Sequence, residues 1–182
     1  MSVYLTVFLA VLNQIGLKGS KMLVALYAIE LHASPFAIGM LISTYAIFPL
    51  MLAVYAGRTS DRFGVRWQLV LGSFGMGGSL LIPTFFPFMS ALFVSAALIG
   101  IATIFFHVAS QNLVGSLGDA HARTSNFGTF SLGAAIAGMI GPMLVGFMVD
   151  RAGYSMSYYA LTAISIIPGI FLLCMQASFL PK

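Results

Sequence analysis

The stretch "GRTSDRFGVRW", Gly57 to Trp67, sets three arginines and one aspartate in eleven residues of a chain that is only 7% charged. On either side the sequence is apolar for about 20 residues, the length of helix that crosses a bilayer core. Charge between two such runs marks a turn at a membrane surface. The remaining sequence keeps the same rhythm.

Of the 182 residues, 60% are hydrophobic, whereas an ordinary soluble domain is about 25% charged. A soluble fold of this size has too little interior to hide that much apolar surface, so membrane lipid must cover it. The net charge of +4 is accordingly read by its placement and not as a nucleic-acid patch; no nucleic-acid partner is expected. The single cysteine, Cys174, lies in an apolar run and offers no intrachain disulfide. The N-terminus has no basic leader region, and its apolar run continues past signal-peptide length, which predicts a retained first span.

Hydropathy places six spans at about 3–30, 37–56, 67–86, 91–117, 126–149 and 155–178. Their connections, "ELHASPF", "GRTSDRFGVR", "PFMS", "GDAHARTS" and "DRAGY", are too short for a soluble domain. Nothing alternates with the period of two that barrel strands need. The expectation is an all-α membrane protein, with residues 1–182 forming one six-helix transmembrane domain. Arg58, Arg62 and Arg66 fall in the second connection, Arg123 in the fourth and Lys182 after the sixth span, against Arg151 on the other side. By the positive-inside rule this is a multi-pass cell-membrane protein with both termini cytoplasmic.

An ungapped shift of 89 residues superimposes Gly57, Asp61, Arg62 and Gly64 on Gly146, Asp150, Arg151 and Gly153. It also places Glu30 and His32 on Asp119 and His121, and Gly39 on Gly128. Glycine matches come cheaply in this composition, but acids and arginines are scarce. Two repeats are expected, about 1–88 and 89–182. Three helices per copy is an odd number, so the second copy must be inverted in the membrane.

Physical roles follow for these positions. Gly57 near a helix end would let a neighbouring backbone approach, and Gly64 permits the positive φ of a tight turn. Asp61 can face the N-terminus of a neighbouring helix, where the dipole favours its charge. Arg62 and Arg66 would pair with acids or lipid phosphates, completing a latch at this face. Topology alone explains the arginines, but not the glycines and aspartate at their spacing.

Gly57-x-x-x-Asp61-Arg62-x-Gly64-x-Arg66, between the second and third spans, resembles the signature loop of the major facilitator superfamily of secondary transporters. Thr59 stands where that family usually has Leu, and Val65 where it often has a basic residue. In the fifth span "AGMIGPMLVG" resembles the family's Gly-Pro motif through Gly138, Gly141, Pro142 and Gly146, with Val145 replacing a glycine. Arg123 followed by "TSNFG" resembles the family's fourth connection, while the fourth span lacks the arginine of many proton-coupled members. The resemblance implies an N-terminal six-helix half of a transporter, symporter or antiporter, in which these residues, with Asp150 and Arg151, serve gating. Tight helix packing without gating is the alternative for the Gly-Pro helix.

The inverted repeat directs attention to the middle of the first and fourth spans. Gln14, Lys18 and Lys21 share an arc of about 60° at 100° per residue. Lys18 lies about 18 Å along the axis from Glu30, near the bilayer centre. Two lysines at that depth cost roughly 5–7 kcal/mol if nothing compensates, so a water-filled or protein-facing site is expected. Under the shift Lys18 falls on His107, whose face also holds Gly100, Thr103 and Gln111. Gln14, Lys18, Lys21, Thr103, His107 and Gln111 are the candidate solute-binding residues. Snorkelling or structural pairing is the alternative for the lysines, and a packed, hydrogen-bonded role for His107.

No His, Cys or carboxylate cluster has metal-ligand spacing and no nucleophile stands beside a base, so neither an enzyme site, a metal nor a cofactor is expected. The function expected is secondary active transport of a small organic solute, an anionic one on the strength of the lysines. The Gly-Pro helix pulls instead toward a drug or metabolite efflux antiporter. Full members of the family have two six-helix halves, and a truncated half or fragment is favoured here over a half served by a separate second chain or by a homodimer. A non-transporting membrane module that assembles with a partner is the competing class.

Overall fold

The computed structural model describes residues 3–117 and 120–174, with the side chains of 61–63 and 120–121 outside the description. The chain is α-helical throughout its described elements: α1 Val3–Glu30, α2 Pro35–Phe63, α3 Val65–Phe85, α4 Met89–Ser116 and α5 Ala120–Cys174. All five are long and apolar enough to cross a membrane.

Local chemistry sets the ends. Ser34 caps α2, its hydroxyl accepting the Ala37 N–H at 3.2 Å, and Pro35 follows at the first helical position, where its missing donor is not needed. His32, at φ 56°, terminates α1 in a left-handed turn whose N–H bonds the Ile29 carbonyl.

The connection that the sequence marked as a loop is mostly helix. Residues 57–63 continue α2, and Gly64 alone departs, at φ 83° and ψ 149°. Its N–H bonds the Ser60 carbonyl at 3.1 Å, and α3 begins at the next residue. Hydropathy marks where lipid ends, whereas a helix continues into the interface as long as its backbone bonds are kept. At 1.5 Å per residue α2 is about 44 Å long, against a hydrocarbon core of about 30 Å.

The expected break at "DRAGY" is equally small. A continuous 55-residue α5 would measure about 82 Å, but Gly153, at φ 78° and ψ 178°, interrupts it. Five helices are thus observed where six spans were expected, because a one-residue break barely interrupts the hydrogen-bond ladder. The stretches 120–152 and 154–174 are called the first and second arms of α5.

Contacts give the directions. Gly133 meets Val11, Gly141 meets Ile15 and Gly19, and Gly146 meets Met22, so the first arm runs parallel to α1. The second arm runs back: Ser165 meets Gly16, Leu161 meets Gly19, and Tyr154 stacks on Tyr27 with ring centroids 5.0 Å apart. The same arrangement surrounds α4. Gly100 lies against Tyr45 and Pro49, Phe105 against Tyr55, and Asn112 against Ser60, so α2 runs parallel to it. α3 returns antiparallel, with Ser79 on Ser95 and Gly72 on Phe106. α3 and the second arm meet each other through Gly77 with Ile166 and Ser73 with Gly169.

One end of the bundle packs around Leu23, Leu41, Leu80, Leu92 and Leu161, and the other around Leu9, Leu69, Phe106, Leu113 and Leu172. The outer faces remain apolar: Leu50 of α2 is 83% exposed and Met143 of the first arm 68%. Apolar surface of this extent suits lipid or protein rather than water.

Candidate functional site

The α1–α4 contact contains a polar pair in the apolar bundle. The side-chain nitrogen of Gln14 on α1 lies 3.1 Å from His107 Nδ1 on α4, and that of Gln111, one turn along α4, lies 3.1 Å from His107 Nε2. A neutral imidazole has one donor and one acceptor nitrogen. One carboxamide therefore presents an N–H to the ring and the other presents its oxygen; flipping the two amides serves the opposite tautomer. With both oxygens turned inward, the pair would also accept two bonds from a protonated ring. Phe130 of the first arm covers the ring, centroids 5.6 Å apart.

Sequence reasoning placed six residues at one cavity, and the structure joins three of them, Gln14, His107 and Gln111, by direct contact. Lys18 is exposed near the middle of α1, on the side where Gly141 crosses; a Cβ at Gly141 would lie 3.2 Å from Lys18 Cβ. Lys21 is half-buried and turns to α2, its Nζ 5.5 Å from the centroid of Tyr45, a cation–π contact worth about 0.5–2 kcal/mol. Thr103 is buried within the bundle, its Oγ1 without a hydrogen-bond partner.

Among the gating candidates, the side chains of Asp61 and Arg62 lie outside the described residues. Arg66 reaches carbonyl oxygens: Nε and Nη2 donate to the Leu172 carbonyl at 3.1 and 2.9 Å, and Nη2 to that of Leu173 at 3.3 Å. Both carbonyls lie in the last described turn of α5. Arg66 thereby ties the start of α3 to the end of the second arm. Among the described residues, Gly57 has no atom within 4 Å of a would-be Cβ.

In the Gly-Pro helix the glycines separate by role. A Cβ at Gly141 would lie 2.8 Å from the Ile15 carbonyl oxygen and 2.9 Å from the Gly19 nitrogen, so this glycine sets the closeness of α1 and the first arm. Gly138 faces open space, and Gly146 meets only Met22 Cε, at 3.8 Å. Pro142 stands inside the continuous α5. Arg123, Asp150 and Arg151 are exposed, and the Arg151 guanidinium sits 5.3 Å from the Phe147 ring.

Four contributors were not singled out from sequence. Tyr45 and Phe130 carry the aromatic contacts, and nothing marks them in a chain that is 13% aromatic. Asn112 donates to Ser60 Oγ at 3.0 Å, and Gln68 donates to the Ala56 carbonyl at 2.8 Å. Both bonds fasten the Gly64 end of α2, to α4 and α3 respectively. Polar residues in apolar spans were the available signal.

Comparison with known proteins places this arrangement. Multidrug resistance protein 1 of Bacillus subtilis (strain 168) is 28% identical over 121 residues, covering 66% of this chain and 31% of that protein. Multidrug resistance protein 2 of the same organism is 28% identical over 140 residues, covering 77% of this chain and 35% of that protein. The human Chromaffin granule amine transporter is 26% identical over 138 residues, covering 75% of this chain and 26% of that protein. The chain spans about a third or less of the length of these relatives. The profile of the Major Facilitator Superfamily matches residues 6–179. With transmembrane-length helices along its length and this match over nearly all of it, the chain belongs to the Major Facilitator Superfamily of transporters.

Proposed function

We propose that the chain forms the N-terminal six-helix half of a secondary active transporter that moves a small organic solute by alternating access. The observation that carries this reading is the Gln14–His107–Gln111 cluster where α1 meets α4, close along α1 to the exposed Lys18. A lysine at the centre of a membrane helix costs about 2.5–3.5 kcal/mol on insertion scales. A solvated solute path offsets that cost, and a carboxylate passing along it would meet Lys18 and the amide donors. Lys21, Thr103 and the gating set remain assigned to the same path and its latch.

The six-span, inverted-repeat architecture is supported by the two positive-φ glycines. Gly64 and Gly153 stand 89 residues apart, each between a helical segment and one that returns beside it. Gly77 and Ile166, also 89 apart, touch each other, as residues on a two-fold pseudo-axis must. Each copy's returning pair packs on the first helix of the other copy. The exposed apolar faces of α2 and the first arm flank the α1–α4 contact and suit a second six-helix half or a second copy of this chain. A partner there would also supply the approach to Gly57.

Export of drugs or metabolites is the second reading, favoured by relatives named for multidrug resistance. Liposome flux of the assembled transporter tests both, with carboxylate-bearing solutes and lipophilic cations as alternatives. Replacing Lys18 and Lys21 together by Ala is expected to lower carboxylate flux by about tenfold or more, equivalent to 1.4 kcal/mol. Undiminished flux would remove the lysines from the path. Crosslinking of α2 and the first arm to a second half, read beside flux, separates a working transporter from a non-transporting module.

A further inference from the structure

A groove of about 600 Å3 runs along the outside of the bundle between α2 and α3, with α4 as its floor. That volume falls in the range of ligand sites, about 300–1,000 Å3. Trp67 and Leu71 form its α3 edge, both well exposed, and Leu98, Ala102 and Phe105 of α4 line its base. The exposed Gly75 leaves it open by supplying no side chain, and Gly72 lets α3 close on the α4 floor, since a Cβ there would lie 2.8 Å from Phe106 Cβ. From Trp67 to Ser79 the groove follows α3 for about 18 Å at 1.5 Å per residue, a little more than half of a roughly 30 Å hydrocarbon core. It is as long as one leaflet is deep.

The mouth at the Gly64 end is polar. Thr59 lines it, and the preceding residue, Arg58, is exposed. Gln68 also lines it, 4% exposed, with its nitrogen committed to the Ala56 carbonyl and its Oε1 buried without a hydrogen-bond partner. An orphan acceptor at that depth calls for a donor, and the exposed Arg58, one residue before the lining Thr59, offers an anion a partner at the same end of α2. An acyl chain fits the rest of the groove, which offers almost no polar surface.

We infer that the α2–α3–α4 groove binds a phospholipid of phosphatidylglycerol type, with one acyl chain along Gly72 and Gly75, its phosphate at Arg58 and a headgroup hydroxyl donating to Gln68. The site is separate from the solute path, since it opens on the flank of the bundle and not at the α1–α4 contact. Phosphatidylcholine carries the same phosphate and chains but no headgroup donor and no net charge, and so is the discriminating control.

Trp67 is the single tryptophan of the sequence and sits at the groove, so its fluorescence reports the occupant directly. The chain is reconstituted in vesicles with a minor fraction of acyl-brominated phosphatidylglycerol or acyl-brominated phosphatidylcholine in an unbrominated background. Preferential quenching by the phosphatidylglycerol is expected, by about fivefold in relative affinity, as one arginine near an anionic headgroup confers. Arg58→Gln, at an exposed position, should abolish the preference. Gly75→Leu, also exposed, should fill the groove and reduce quenching by both lipids, with far-ultraviolet circular dichroism verifying unchanged helix content. Equal quenching by the two lipids, a preference that survives Arg58→Gln, or quenching indifferent to Gly75→Leu in a helical protein would each overturn the assignment.

Discussion

The helix pair joined at Gly64 and the pair joined at Gly153 are built alike and packed differently. In both, one glycine at positive φ reverses the chain, and the returning helix lies against a helix from the other part of the sequence. The difference is where the small residues sit. In the first pair they are on the returning helix: a Cβ at Gly72 would come within 2.8 Å of Phe106 Cβ and 3.0 Å of the Ala102 carbonyl. In the second they are on the partner: Gly19 of α1 receives Leu161, and Gly16 receives Ser165. Close helix approach needs small residues on only one side of a contact. Two helix pairs that turn alike can therefore pack by different means.

The turns also diverge in charge. Arg58 and Arg66 flank Gly64, whereas the positions 89 residues on hold Phe147 and Ser155. Arg66 uses its charge on the end of the second arm, and Arg58 stays exposed. Around Gly153 the arginine instead covers Phe147. The Gly64 turn is thus fastened to its surroundings by a cation, and the Gly153 turn by aromatic contact.

The largest expected effect comes from exchanging the packing of the two pairs. Leu161→Ala removes a fully buried side chain and should lower stability in detergent by about 2–5 kcal/mol. Gly72→Leu overpacks the equivalent contact and should cost about 1–3 kcal/mol. Thermal unfolding followed by circular dichroism measures both, and tolerance of either would mean that the pairs are not locked as described. Replacing Gly64 or Gly153 by Ala should cost about 1–2 kcal/mol each, because both hold positive φ. Clearly unequal losses would break the likeness of the two turns.

Smaller effects sharpen the contrast in charge. Arg66→Gln removes donors from the Leu172 and Leu173 carbonyls and should cost about 1 kcal/mol, given the partial exposure of the guanidinium. Hydrogen exchange should quicken in the last turns of α5 and not around Gly153. Ser155→Ala, at the counterpart position, should change stability by less than about 0.5 kcal/mol. A loss equal to that of Arg66→Gln would show that the second turn has its own polar fastening.

Much of the fold was legible because lipid imposes a simple code. Apolar runs of membrane-crossing length located every helix, and the scarcity of charge made the 89-residue echo visible. The boundaries were less legible, since residues 57–63 are polar and still helical. At the candidate site, Gln14, His107 and Gln111 were legible as rare polar residues on expected faces. Lys21 was not separable from Lys18 by angle alone: the two are neighbours on one face, yet Lys21 turns to Tyr45 on a helix whose position the face does not report. Thr103 illustrates the same limit, sharing a helix with His107 but lying inside the bundle.

What the sequence alone determined was a membrane-embedded helical chain, its turn glycines and its few polar faces, because burial in lipid and positive φ are properties of single residues and short runs. Which helices touch was decided only in three dimensions. Contacts such as Gln14 with His107, Arg66 with the end of α5, and Gly141 with α1 join residues 93 or more positions apart, and depend on the shape left by small side chains on the facing helix. The groove beside α3 is of the same kind. Gly75 supplies no side chain at its wall, and that this position faces a groove is a fact the glycine does not state in isolation.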